Sequence, residues 1–325
     1  MITIERPVFF VGMGRSGTTL LVAVVCAHRD LGWFSQHFAR MPGFPAVTLL
    51  SRLADLDPGF RRSVARHGET SSPLERVRVA PAEAYSIWER CCGEKFLYDF
   101  MLGTTATDRE RHCVRTTVAK VLRYQGKPRF TSKITGPPRI EYLSSIFPDA
   151  IFVHVIRDGR AVVESLLRVP FWRDSYRFRE PAWRGGLTDD DLAAWRRDGA
   201  SPLALAGMQW EAVLRITRRE ARQFVPERYA EVHYEDFVRD PHRVIDEIFD
   251  LCGLSEDPRP HEFLDRRIEL RDMNYRWRER LERREIETLD QLLADPLREF
   301  DYDADGRRGE DGAAVRRPFV GVRTP

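Results

Sequence analysis

Lysine is nearly absent from this 325-residue chain: of 52 basic residues only Lys95, Lys120, Lys127 and Lys133 are lysines, and the rest are arginines. Excess charge of either sign is missing too. A formal net charge of +2 excludes the strongly basic footprint of a nucleic-acid binder. Cysteine is scarce: Cys26, Cys91, Cys92, Cys113 and Cys252 are odd in number and lack metal-ligand spacing. The expectation is no metal centre and free buried thiols in a reducing compartment. No long apolar run exists either. The first one is interrupted by glycines and Arg15, so neither a signal peptide nor a membrane span is expected, and the default location is the cytoplasm.

The most telling absence lies between Pro7 and Leu21. Val8 to Val11 form the short, β-rich apolar run of a buried parallel strand, and Leu20 to Val25 continue at helical length. Between them, Gly12 and Gly17 hold the Gly-x-x-x-x-Gly spacing of a Walker A loop. Thr18 stands where that loop has its Lys, and the cation moves inside the loop as Arg15. Gly12, Gly14 and Gly17 permit torsions that let successive N–H groups converge on an anion at a helix N-terminus, and Ser16, Thr18 and Thr19 add hydroxyls. A phosphate-like ligand is expected.

Strand and helix signals alternate along the chain, which predicts an α/β fold with a central parallel sheet flanked by helices. A second buried strand, Ala150 to Ile156, runs into Arg157-Asp158-Gly159-Arg160, with a helix from about Ala161. A third, Tyr229 to Tyr234, leads into Glu235-Asp236-Phe237. Residues 171–201, rich in Trp, Arg, Gly and Pro, are expected to be a helical or irregular insertion covering the substrate. One domain is expected over residues 1–302, followed by a charged tail, 303–325, in which Pro318-Phe319-Val320 can dock back. Arg157 falls at the carboxyl end of its strand, where open α/β sheets bind ligands. Ser165, eight residues on, can share an anion with that guanidinium, whose planar fork suits phosphate oxygens.

Two anion sites of this kind imply a nucleotide phosphorylated at two places, and here the sequence resembles the sulfotransferases that use 3′-phosphoadenosine 5′-phosphosulfate (PAPS). Gly12 to Leu21 is similar to that family's 5′-phosphosulfate loop, and Arg157 with Ser165 to its 3′-phosphate motif. Phe130-Thr131-Ser132-Lys133 resembles its lysine-bearing strand, Tyr234-Glu235-Asp236 a block whose Tyr contacts the nucleotide, and Tyr275 to Leu281 its C-terminal cofactor-covering segment. The resemblance implies PAPS as co-substrate without a metal. It makes Arg15, Ser16, Gly17, Thr18, Thr19, Arg157, Ser165, Tyr234 and Arg276 the nucleotide-binding residues.

The implied reaction is in-line transfer of a sulfuryl group to a hydroxyl or amine of a small-molecule, lipid or glycan acceptor. Arg15 and Lys133 would stabilise charge on the bridging oxygen. A base should take the acceptor's proton. Relatives place a Glu about twenty residues beyond the loop cation or a His on the lysine strand; here Thr135 stands near the place of that His. His37 falls close to the place of the Glu and is the base candidate, with Glu69, Glu83 and Asp99 as unranked alternatives. Trp172, Trp183 and Trp195 can face an acceptor or fill a lid core. A competing reading is a P-loop kinase or nucleotide hydrolase in which Asp158 binds magnesium, and a third is a non-enzymatic scaffold.

Overall fold

The computed structural model describes residues 3–56, 60–61, 78–169, 180–306 and 314–319. In chain order the elements used below are β1 (Val8–Gly12), α1 (Thr18–Val25), β2 (Leu31–Trp33), α2 (Gln36–Arg40), α3 (Tyr85–Cys92), α4 (Asp108–Gln125) and β3 (Arg129–Thr135). They continue with β4 (Ile151–Ile156), α5 (Gly159–Leu167), α6 (Asp189–Arg197), α7 (Pro202–Phe224), β5 (Tyr229–His233), α8 (Tyr234–Arg239), α9 (Arg276–Arg280) and β6 (Val315–Arg316).

Six strands form one sheet in the order β2-β3-β1-β4-β5-β6, parallel except for β6, which pairs antiparallel with β5 at the edge. The apolar runs are unbroken because both faces are covered. Along β1, Val8 and Phe10 pack into the core with α1, whereas Phe9 and Val11 point to the opposite core with α3 and α4. Phe9 there meets Trp88, Phe130, Phe147 and Phe152 at ring distances of 5.6–6.4 Å. A third core joins α5 and α7 around Trp210. From β1 the chain builds one half of the sheet through β2 and β3, then the other through β4 and β5. The crevice at the carboxyl end of β1 is therefore a topological switch point.

Four strands lie where the sequence predicts them. β2 and β6 are additions, and β6 comes from the tail. Phe319 does dock back, its ring stacked on Tyr229 at 5.6 Å; Val320 lies outside the described residues. Among residues 180–201 of the predicted insertion, α6 is a regular helix, opened by a Thr188 and Asp191 capping box. The expectation of five free thiols is corrected: Cys91 and Cys113 form a disulfide, which joins the end of α3 to α4, while Cys26, Cys92 and Cys252 are free and buried. Two half-buried cysteines on adjacent helices carry no spacing signal in the sequence. Among the described residues no helix is long and apolar enough to cross a membrane.

Candidate active site

Two of the three loop glycines are required by their surroundings. At Gly12, φ is 145° and a Cβ would lie 2.4 Å from the carbonyl oxygen of Val155 on the neighbouring strand. At Gly17, φ is 83° and a Cβ would lie 2.3 Å from the Tyr234 ring. Gly14 faces open space and does not have a positive φ, so the torsional freedom expected of it is not used. Arg15 instead takes the left-handed conformation at φ 74°, a cost of roughly 1–2 kcal/mol for a residue with a Cβ. Gly17 caps α1 without a side-chain hydrogen bond, and no acidic residue stands in the first turn. The first amides of α1 are thus open toward the crevice. Ser16 is fully buried, and its Oγ has no partner among the described residues. An unsatisfied buried hydroxyl beside open amides is a cradle suited to an oxyanion.

The two anion motifs predicted from distant parts of the chain meet here. Arg15 Nε donates to Ser165 Oγ at 2.9 Å across 150 residues, and Arg157 Nη1 donates to the Arg15 carbonyl at 3.0 Å. Arg157 is further fixed by Asn274 Oδ1, 3.2 Å from its Nε, and by the Tyr234 ring, 4.3 Å beneath its guanidinium. Tyr234 therefore touches Gly17 and Arg157 at once, and its hydroxyl is tied to the Arg271 carbonyl at 3.2 Å. Burial, then the nearby Arg157 charge, hold the Arg15 guanidinium below its ordinary range. Glu164 opposes this, but it is engaged by Arg168 and Arg280. The Arg15 and Arg157 charges thus act on each other, and the carboxylate that offsets Arg15 is shared with two other arginines.

Arg160 is a structural cation. It is buried, bonded to both oxygens of Asp158 at 3.1 and 2.9 Å and to Asp290 at 2.9 Å, and stacked 4.5 Å from Trp277. Burial lowers its pKa, yet Asp158 and Asp290 together outweigh this and the net shift is upward. It also donates to the carbonyls of Asp303 and Ala304. Asn274 Nδ2 donates to the Gly306 carbonyl at 2.9 Å. Residues 303–306 are in this way strapped against the Arg157 motif, a connection the sequence does not announce. Next to it, burial pushes the Glu235 carboxyl up to about 7; it accepts from Tyr302 at 2.9 Å and from the Asp158 amide at 3.2 Å. Arg276, at the start of α9, contributes a charge that Tyr234 feels.

On the other side of β1, Lys133 reaches Thr19 Oγ1 in the first turn of α1 at 2.7 Å and pairs with Glu83 at 2.9 Å. Thr135 Oγ1 donates to the same Glu83 oxygen at 2.9 Å. His37 lies on α2, where its Nε2 comes within 3.3 Å of the Gln36 side-chain amide. Asp99 pairs with Arg184 at 2.6 Å, and Glu69 lies outside the described residues. Of the tryptophans, Trp195 is buried with its indole donating to Ser201, and Trp172 is outside the described residues. Trp183 packs over Gly136, directly after Thr135.

Sheet and loop together define a class, the α/β proteins that hold an anion between a parallel sheet and a helix N-terminus. Within that class the chain belongs to the sulfotransferase family, whose family model matches residues 7–258. In fold it is similar to sulfotransferase STF9 from Mycobacterium avium, at 19% identity over 94% of this chain and 79% of that one, with a TM-score of 0.59. It is similar also to sulfotransferase STF1 from Mycobacterium tuberculosis H37Rv, at 15% identity over 90% and 78%, with a TM-score of 0.50. No curated protein matches its sequence. Arg276 and the strap at 303–306 lie beyond the matched range.

Proposed function

We propose that this sulfotransferase moves a sulfuryl group from PAPS to a hydroxyl or amine of a small-molecule, lipid or glycan acceptor, in the cytoplasm. The catalytic unit in this reading is residues 1–302, with 303–325 as a tail. One observation carries it: Arg157 donates to the Arg15 carbonyl, the Arg15 side chain donates to Ser165, and the two positive charges act on each other. Like charges held this closely are stabilised by a ligand with two anionic groups, one on the loop and one on the Arg157 side.

Each residue then has a task. The amides of α1, Ser16, Thr18 and Thr19 hold the 5′ end, while Arg157, Ser165, Tyr234 and Arg276 hold the 3′ side. Arg15 and Lys133 flank the bridging oxygen and stabilise the charge that grows there as the sulfur–oxygen bond breaks. Fixing donor and acceptor in line removes an orientational cost that solution chemistry carries. The kinase reading needs Asp158 as a magnesium ligand, yet both of its oxygens are engaged by Arg160.

Isothermal titration tests the choice. We expect 3′-phosphoadenosine 5′-phosphate to bind in the presence of a chelator. Magnesium-dependent ATP binding with no affinity for that nucleotide would sink the reading.

A further inference from the structure

We propose that Glu83 is the general base of the reaction, with Lys133 and Thr135 orienting one carboxylate oxygen and the other receiving the acceptor's proton. This rests on the sulfotransferase reading above. It replaces a base on α2 with one delivered by the segment that precedes α3.

The geometry of that segment is over-determined. The Gln36 amide donates to the Ala80 carbonyl at 3.1 Å and the Ala82 amide to the Phe34 carbonyl at 2.8 Å, so residues 80–82 run against β2 and the start of α2. Trp88 Nε1 holds the Glu83 carbonyl at 3.2 Å, and the Trp88 ring is itself stacked on Phe96 at 4.8 Å. Ala84 adopts a left-handed conformation, φ 54°, which a residue with a Cβ takes only when its neighbours enforce it. Tyr85 then donates to the Thr135 carbonyl at 2.6 Å. Thr135 is thereby gripped at both ends, its carbonyl by Tyr85 and its hydroxyl by Glu83.

The carboxylate that results is divided in its duties. Oε1 accepts from Lys133 Nζ and Thr135 Oγ1, both at 2.9 Å. Oε2 has no hydrogen bond among the described residues, and the side chain is 25% exposed against 12% for Lys133. Its partner Lys133 touches the first turn of α1, which sets the more exposed carboxylate beside the loop. An acceptor oxygen placed against that loop is within reach of Oε2. The charged and titratable groups around Glu83 are Lys133 on β3 and Tyr85 on its own segment, with Arg139 beside Tyr85.

The step balances. The acceptor O–H proton passes to Glu83 while the acceptor oxygen forms its bond to sulfur. The sulfur-to-bridging-oxygen bond breaks, and its electron pair leaves on the 5′-phosphate of 3′-phosphoadenosine 5′-phosphate beside Lys133 and Arg15. Glu83 then returns its proton to solvent, and Lys133 keeps its own throughout.

The test uses the full chain with Glu83→Gln, which preserves shape and the Oε1 contacts, and Glu83→Asp as the conservative partner. Turnover is read as release of 3′-phosphoadenosine 5′-phosphate from PAPS, with water and with 4-nitrophenol as acceptors, across a range of pH. We expect kcat of Glu83→Gln to fall by about 10²-fold or more, the rise of kcat with pH to disappear, and Glu83→Asp to recover part of both. Titrated nucleotide affinity should stay within about twofold of the parent, since the inference assigns Glu83 no phosphate contact. Undiminished kcat in Glu83→Gln would overturn the inference, as would a fall in nucleotide affinity that tracks kcat, which would make Glu83 a prop for Lys133. Loss of the pH-dependent limb in His37→Ala instead would also overturn it. If the parent chain binds no nucleotide, it is the sulfotransferase reading that fails.

Discussion

At the scale of single residues, the proposed function separates cations that would face ligand from cations that hold the fold. Arg160 is engaged by Asp158, Asp290 and two carbonyls, whereas among the described residues Arg157 keeps an edge of its guanidinium uncommitted after Asn274, Arg15 and Tyr234 have fixed it. Charge-assisted hydrogen bonds contribute about 1.5–3 kcal/mol each, so Arg157→Ala should weaken nucleotide binding on the order of 10- to 100-fold. Lys133→Ala should leave that affinity nearly intact and lower kcat by about 10²-fold. Titration and steady-state kinetics on the two variants check this, and an exchange of the two phenotypes would overturn the assignments. Rarity singled out Lys133 in a chain almost without lysine, and the loop spacing singled out Arg15. Nothing local marks Glu83: its partners lie 50 and 52 residues away, and an irregular segment delivers it.

At the scale of elements, β1, β4 and β5 were legible because buried parallel strands leave largely apolar runs, whereas β3, with Thr, Ser and Lys in its middle, was expected only through the resemblance of its lysine-bearing segment. β2 and β6, at three and two residues, are too short to show any period, and the tertiary context alone makes them strands. The same burial gives β4 a pH sensitivity. Tyr229 donates its only hydroxyl proton to Glu231 at 2.8 Å, so His154 Nδ1 must be the donor across the 2.7 Å contact to Tyr229. Nε2 is then left bare, without a partner among the described residues. Burial, aided by Arg218, lowers the His154 pKa to about 3. A depressed folded pKa contributes stability that is present above about pH 6.5 and is lost as pH falls toward 3, roughly 2 kcal/mol by pH 5. Glu235 and Glu220, both pushed up to about 7 chiefly by burial, act oppositely: their stabilisation is full below about pH 4.5 and is lost as pH rises through 7. Relative to the parent, His154→Leu should therefore shift the urea-derived stability at pH 5 upward against that at pH 7 by roughly 2 kcal/mol. An unchanged difference between the two would count against a neutral buried ring.

At the scale of the whole molecule, the disulfide ties the helix behind Glu83 to the long helix across β3. It closes a loop with a sequence separation of 22, for which chain entropy implies about 3 kcal/mol of stabilisation. Thermal melts with reductant should fall by several degrees, Cys113→Ser should start at the lower value, and reductant should not shift that variant further. A melt indifferent to reductant in the parent would show that the link adds nothing.

Arg15 also ties two ends of the molecule together. Its side chain is held by Ser165 and its carbonyl by Arg157, so a group bound at one motif sets the conformation of the cation that serves the other. If the proposed PAPS reading holds, the two ends of the nucleotide are felt jointly, with a coupling free energy between them. Loss of the 3′-phosphate would cost more than its own hydrogen bonds, because the loop would also lose the arrangement that grips the 5′ group. In that reading, discrimination against nucleotides with a single anionic end would be cooperative, a property of the joined motifs and of neither alone.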